Sequence, residues 1–395
     1  MSSLLFLLLF LALLGHVFLW AGFLNRTHAI ALPRWAAAVT KLITLAALAA
    51  IPGIYLAGYV RTGPRILNPP ASLSDFRLGQ IYLVVCWAAL AATAVRWLRR
   101  RVLDRPPHVL RRHSRKTLEL EPATRGEEHH FLASMPGNEI LQLDVTERAV
   151  DLPRMPAALD GLSIVHLSDL HFTGRIGKAY FQEVVRMSND FGPDLIAITG
   201  DLVDFDECID WMPDTLGRLS ARHGVYFILG NHDLLVDTRR LRGVLSDCGL
   251  IDLGGRWIEI ALRGERVLLA GNELPWIAPA ADLGAAPSPP PDGPLRILLA
   301  HTPDQFAWAR ANEIDLMLAG HTHGGQIRFP VLGPLLSPSL SGVTYASGFF
   351  YATPTAMQVS RGVSGLFPLR VNCPPEMIRL VLHAVRPPVR RLQYQ

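Results

Sequence analysis

The chain has 395 residues, half of them hydrophobic, which allows two or three domains and is too apolar for a wholly soluble protein. Its formal charge of +4 rests almost wholly on Arg, with Lys only at positions 41, 116 and 178, and implies no nucleic-acid surface. Four cysteines, Cys86, Cys208, Cys248 and Cys373, are scattered without a CxxC pair; they argue against a disulfide framework or a thiolate metal site and fit a reducing compartment.

The apolar excess lies at the N-terminal end. Met1–Asn25 (uncharged apart from His16), Leu42–Val60 and Leu78–Val95 are long apolar runs. At about 1.5 Å per helical residue they approach or exceed the roughly 30 Å hydrocarbon core of a bilayer. Three membrane spans are therefore expected, near 1–25, 36–60 and 78–97, the second kinked at Pro52 with Lys41 snorkelling. A cleaved signal peptide is disfavoured, because Met1-Ser2-Ser3 has no basic n-region and further apolar runs follow. Between Arg96 and Lys116 stand nine basic residues against the single Asp104. The loop before the third span has only Arg61, Arg65 and Arg77 against Asp75. Basic flanks stay inside, so a multi-pass anchor in the plasma membrane with a cytoplasmic globular part is expected.

Residues 99–137 read as a basic juxtamembrane flank followed by a polar linker with Pro122, Gly126 and Pro136. The globular domain is expected over 138–385, with 386–395 as a tail. Alternation over Glu139–Thr146 predicts its first strand. Apolar runs then recur, each ending in polar residues. Leu162–Ser168 leads into Asp169 and His171, Leu195–Thr199 into Gly200-Asp201, and Val225–Leu229 into Gly230-Asn231-His232-Asp233. Leu295–Ala300 leads into His301, and Ile314–Ala319 into Gly320-His321-Thr322-His323. A helix is predicted over Tyr180–Phe191, with Phe181, Val184, Val185 and Met187 on one side. Strands alternating with helices, and polar residues beyond strand ends, describe an α/β fold with its site at the carboxyl edge of a sheet.

Collected, the strand-end residues are Asp169, His171, Asp201, Asn231, His232, His301, His321 and His323. This nitrogen and oxygen donor set suits Mn, Fe or Zn rather than Ca. It is too large for one ion with an open position and suits two sharing a carboxylate, a pair that activates water for in-line displacement at phosphorus. Any one motif alone is most simply a turn or a surface loop. Five in order, each after a strand-like run, are not.

The motifs Asp169-x-His171, Gly200-Asp201-x-x-Asp204, Gly230-Asn231-His232-Asp233, His301 and Gly320-His321-Thr-His323 resemble those of the calcineurin-like metallophosphoesterases, over roughly Ile140–Leu382. The stretches Gly320–Gln326, Ser360–Gly362 and Cys373–Glu376 are similar to a bacterial membrane-associated branch that includes UDP-2,3-diacylglucosamine hydrolases. The resemblance implies a four-layer αββα sandwich and two divalent metal ions. One ion would take Asp169, His171, Asp201 and His323, the other Asp201, Asn231, His301 and His321. It implies that His232 faces the scissile phosphate and protonates the leaving group, with Asp204 or Asp233 orienting it or a ligand.

Two segments depart from the branch: Thr302-Pro303-Asp304 after His301, and Gly271–Trp276. Asn272 and Glu273 there read as a loop turn, with a groove contact as the alternative. The expected activity is hydrolysis of a phosphoester or pyrophosphate bond at the membrane, on a substrate that a lipid-linked nucleotide would exemplify. An outward-facing phosphodiesterase of broad specificity and a non-catalytic membrane scaffold with a degenerate site are the alternatives. Retention of every ligand type together with His232 disfavours the scaffold.

Overall fold

The computed structural model describes residues 3–62, 73–99, 109–119 and 131–385. Most of the basic flank, most of the linker and the 386–395 tail lie outside the described residues. The chain forms two units, one of residues 1–105 with 331–343, the other of 106–330 with 344–395.

Nearly uninterrupted apolar sequence builds the helices of the first unit: α1 (Ser3–Thr27), α2 (Arg34–Thr62) and α3 (Leu73–Leu98). Each contains a stretch long and apolar enough to cross a membrane: Phe6–Thr27, Arg34–Ala57 and Gly79–Leu98. Helix α2 runs on through Pro52. Small residues let α1 and α3 approach closely, and a Cβ on Gly15 would overlap the carbonyl of Cys86. His16, an expensive residue at membrane depth, bonds Tyr82 Oη at 2.5 Å, and Trp20 Nε1 donates to the same oxygen at 2.9 Å. The later segment 331–343 joins this unit through side chains at two helix ends. Asn25 Nδ2 donates to the Leu335 carbonyl (3.0 Å) and accepts from Ser337 N–H (2.8 Å), while Trp97 Nε1 donates to the Val331 carbonyl (2.9 Å).

The second unit opens with β1 (Leu110–Glu119) and β2 (Gln142–Leu152), paired antiparallel. Then come β3 (Leu162–Leu167), α4 (Lys178–Asp190), β4 (Leu195–Thr199), β5 (Val225–Ile228), α5 (Thr238–Asp247) and β6 (Ile251–Asp252). After them come β7 (Trp257–Leu262), β8 (Glu265–Asn272), β9 (Leu295–Ala300), α6 (Phe306–Ala311) and β10 (Leu316–Ala319). The chain continues through β11 (Arg328–Phe329) and β12 (Gly333–Pro334) to β13 (Gly348–Ala352), β14 (Thr355–Val359) and β15 (Glu376–Ala384).

Seven strands form one sheet in the order β1-β2-β15-β3-β4-β5-β6, and six form another in the order β13-β14-β10-β9-β8-β7. Strands β3 to β6 run parallel, as do β8, β9, β10 and β14. Central parallel strands are covered on both faces, which is why they read as continuous apolar runs. In β3, Leu162 and Ile164 pack between the sheets, while Val165 and Leu167 pack with Phe181, Val184 and Val185 of α4. Ala309 of α6 joins the outer layer over the second sheet. The architecture is thus a four-layer αββα sandwich, as expected, and the carboxyl ends of β3, β4, β5, β9 and β10 carry the polar motifs.

Two boundaries are corrected. Residues 110–119, assigned above to the basic flank and linker, form β1. It is an edge strand with only every fourth residue half-buried, so no apolar alternation marks it among the arginines. The strand expected over Glu139–Thr146 starts three residues later and runs on to Leu152, because β1 and β15 pair with it along that length.

A charged network lies buried where β2 meets β15. Arg361 donates to Asp144 Oδ2 (2.6 Å) and Glu376 Oε2 (3.3 Å), Thr146 Oγ1 donates to Glu376 Oε1 (2.7 Å), and Arg148 stands 3.8 Å from Glu376. Burial pushes the Glu376 carboxyl up, but the two guanidiniums overrule it and hold it down at about 2. Removing one partner of a buried ion pair costs about 3–5 kcal/mol, since the other charge stays behind. Glu376→Ala should therefore lower Tm in a thermal melt by about 10 °C; an unchanged Tm would mean that the network holds nothing.

Candidate metal centre

Strand ends set the backbone of the site, and that backbone is strained. Asp169 (φ 51°), His171 (48°), Asp201 (52°), His321 (69°) and His323 (50°) all lie in the left-handed region, which non-glycine residues avoid. Such outliers cluster at functional sites. The motif glycines admit this crowding. A Cβ on Gly320 would overlap Ser168 Oγ and Asp169 Oδ2, and one on Gly230 would overlap Asp201 Oδ1.

The side chains converge as the sequence predicts. Donor atoms of Asp169, His171, Asp201 and His323 lie within 4.8 Å of one another, as do those of Asp201, His301 and His321. One oxygen, Asp201 Oδ2, stands 3.6 Å from His171 Nε2 and 3.3 Å from His301 Nε2. Asn231 Oδ1 is 3.1 Å from His301 Nε2, and His321 Nδ1 is 3.2 Å from the same nitrogen. All seven expected ligands are therefore in one place.

The outer contacts fix which ring atoms face inward. His301 Nδ1 lies 2.7 Å from the Thr199 carbonyl, which can only accept, so the Nε2 lone pair points into the cluster. His171 Nδ1 lies 2.8 Å from Asp204 Oδ2, with the same effect. His321 Nε2 is buried without a hydrogen-bond partner. Converging lone pairs and carboxylates with little solvent fit a divalent cation.

Protonation follows the same logic. Burial disfavours charge on Asp201, but His301 and His232 outweigh it and hold its carboxyl well below the usual range. Burial likewise opposes charge on His301, yet Asp201 raises it to about 9. The pocket thus demands positive charge beside Asp201, from a proton or a metal. Burial lowers His321 and His323, further depressed by His301 and His171 respectively, leaving neutral imidazoles ready to ligate.

His232 joins a third cluster with His171 and Asp204, whose donor atoms also lie within 4.8 Å of one another. Its backbone N–H donates to Asp201 Oδ1 (2.8 Å), and its Nδ1 lies 2.6 Å from Asp204 Oδ1. Burial would lower its pKa, but Asp201 and the Asp204 bond raise it to about 9. Asp204 therefore touches both His171 and His232. Asp233 instead accepts from the N–H groups of Leu202 (2.8 Å), Val203 (3.0 Å) and Gly230 (2.8 Å), tying two strand-end loops together.

Asn272 and Glu273 are turn and strut rather than groove. Asn272 Oδ1 accepts from Leu274 N–H (2.9 Å); buried Glu273 accepts from Leu229 N–H (2.6 Å) and pairs with Arg242 (2.7 Å). Two site residues carry no sequence signal. Trp276 places its ring 4.6 Å from that of His321 and 5.6 Å from that of His301. Arg370, fully buried, donates to the carbonyls of His323 (2.9 Å) and Arg361 (2.8 Å), and its other amine lies 3.2 Å from His323 Nδ1. An Arg between Leu369 and Val371 would have been the one clue.

The calcineurin-like phosphoesterase family pattern matches residues 162–325, which include every residue of the cluster. Phosphodiesterase YaeI of Escherichia coli K12 is 31% identical over 225 residues, 55% of this chain and 81% of that protein. The uncharacterized metallophosphoesterase YkuE of Bacillus subtilis 168 is 31% identical over 255 residues, 60% and 84% respectively. A bovine transmembrane protein with metallophosphoesterase domain is 33% identical over 260 residues, 61% of this chain and 57% of that protein.

The crowding at Gly320 is testable. Gly320→Ala should displace Asp169 and strip bound metal, measured by elemental analysis of the purified chain. Gly243→Ala, where a Cβ meets nothing within 4 Å, should leave metal unchanged. Equal metal in both would show that the close approach at Gly320 does not position the ligand.

Proposed function

The chain belongs to the calcineurin-like metallophosphoesterases, and from that premise we propose that its second unit is a two-metal phosphodiester or pyrophosphate hydrolase working at the membrane surface. The observation that carries the two-metal reading is the sharing of Asp201 Oδ2 between His171 and His301. One ion would be held by Asp169, His171, Asp201 and His323, and the second by Asp201, Asn231, His301 and His321. When bound, divalent ions of the Mn, Fe or Zn kind supply Lewis-acid stabilisation at the phosphoryl oxygens and acidify water.

The chain's own residues do the rest. Asp201 keeps the two ligand groups in register. The Thr199 carbonyl and Asp204 lock His301 and His171 with their Nε2 atoms inward. His232 is held by Asp204 through Nδ1, leaving Nε2 to give its proton to the departing oxygen. Asp201 and Asp204 raise its pKa against burial, which favours the protonated form an acid needs.

Three candidate spans support action at a membrane, and the nine basic residues from Arg96 to Lys116 support a cytoplasmic catalytic unit. A substrate such as a lipid-linked nucleotide fits an enzyme tethered beside the bilayer, because tethering raises local concentration.

The activity test is hydrolysis of bis-p-nitrophenyl phosphate by the full chain, metal-free against Mn²⁺-loaded. Asp201→Ala should abolish turnover and lower bound metal. Retained metal and normal turnover in that variant would sink the two-metal reading. His232→Ala should keep its metal yet slow turnover by roughly 10²–10⁴. The loss should shrink for p-nitrophenolate, which leaves without a proton; loss of metal instead would make His232 a ligand.

A further inference from the structure

Four tryptophans lie in the second unit, and three of them serve its apolar packing. Trp211 packs on the core shared by β3 and α4, while Trp257 and Trp308 pack on the outer core of the second sheet. Trp276 belongs to none of these cores. Its ring lies instead against two imidazoles, those of His321 (4.6 Å) and His301 (5.6 Å), and the residue stays partly exposed. Among the described residues its indole N–H has no hydrogen-bond partner, and it is not sealed from solvent.

A braced turn holds the ring there. Asn272 Oδ1 accepts from Leu274 N–H (2.9 Å). The Gln305 amide accepts from Asn272 Nδ2 and donates to the Leu274 carbonyl, both at 3.2 Å. The Glu273 carbonyl accepts from the N–H groups of Trp276 (3.2 Å) and Ile277 (3.1 Å), and the Ile277 side chain packs on the core. The backbone is therefore fixed on both sides of a half-open aromatic ring. Such a surface is preorganised, because little freedom is left to lose when a ligand docks.

Its neighbours decide which part of a substrate it would meet. His232, the proposed acid, has its ring 4.8 Å from that of His171, a candidate ligand of the first ion. Trp276 lies against candidate ligands of the second. The departing oxygen goes to His232, so the group beside Trp276 is the ester group that stays on phosphorus. A flat π surface favours a flat π partner over an alkyl chain.

We propose that Trp276 is a specificity-determining residue, a platform on which a planar ring of the retained ester group stacks. This rests on the hydrolase reading above and adds a ring preference to it.

The test uses the full chain in detergent micelles, loaded with Mn²⁺, and diesters that share p-nitrophenolate as the leaving group. Their retained groups are ethyl, phenyl and thymidin-5′-yl. Trp276→Ala should raise KM for the phenyl ester about tenfold, with kcat nearly unchanged and the ethyl ester unaffected. A larger rise for the thymidine ester identifies the ring as a nucleobase, an equal or smaller one as a simple aryl group. Trp276→Phe, which keeps a ring, should recover most of the loss. Bound Mn²⁺, by elemental analysis, should match the parent in both variants. An equal fall for all three esters, or lost metal, makes Trp276 a support for His321 and overturns the proposal.

Binding without turnover separates the platform from the hydrolase reading. By calorimetry the parent should bind phenylphosphonate about tenfold more tightly than ethylphosphonate, and Trp276→Ala should bind the two alike. A parent without that preference overturns the platform. A parent that has it yet splits no ester leaves the platform standing and sinks the hydrolase reading alone.

Discussion

Asp201 carries a negative charge in a place with almost no water, and most of the site is arranged around that fact. An isolated buried carboxylate would take up a proton; this one is surrounded by His171, His301 and the backbone N–H of His232. Those partners come from three strand ends in two different sheets, so the charge can be neutralised only when both sheets are assembled. The backbone bears the cost. Five of the ligand positions adopt left-handed conformations, each costing of order 1–3 kcal/mol. The sandwich of apolar strands behind them supplies the stability to hold that strain, and the motif glycines remove the clashes it would otherwise create.

The segments outside the five motifs serve the same end. Ser360-Arg361-Gly362 and Cys373–Glu376 look from sequence like further site signatures, yet Arg361 and Glu376 point into a buried ion network. What they achieve is placement. Val363 N–H bonds the Ser168 carbonyl at 2.8 Å and Ser364 N–H bonds that of Asp169 at 2.9 Å. Gly362, with φ of 79°, lets the chain pass so near that a Cβ there would lie 2.7 Å from Asp169 Cβ. The network anchors this strand-end turn, and the turn holds Asp169. Arg370 works in parallel by joining the His323 and Arg361 carbonyls across the same gap.

The layered fold and the gathering of the motif residues were legible because both are written locally. A fully buried parallel strand must be apolar, and the residue after it must turn, so Leu195–Thr199 followed by Gly200-Asp201 announces itself. What stayed hidden depends on neighbours distant in sequence. Strand β1 is exposed and Arg-rich, and it exists because β2 offers it an edge. Trp276 follows an irregular loop, and nothing in Leu274-Pro275-Trp276 says that it will cover His321. The choice between Asp204 and Asp233 as the orienting acid was open in the sequence for the same reason. It is decided by which carboxylate points at imidazoles and which at backbone N–H groups.

That choice has a chemical consequence. The two oxygens of Asp204 are divided: Oδ2 holds His171, a ligand candidate, and Oδ1 holds His232, the proposed acid. Burial raises the Asp204 carboxyl, yet the two imidazoles outweigh it and bring it to about 2, so it stays ionised while either ring carries a proton. In the proposed role His232 would give up its proton at Nε2 while its Nδ1–H stayed on Asp204 and held the ring in place. The proposed acid would keep one orientation for reprotonation, tied through one carboxylate to His171. Preorganisation of this kind removes rearrangement from the proton-transfer step. The short helix turn His232–Leu235, entered from Asn231, lets two adjacent residues face His301 and Asp204 at once.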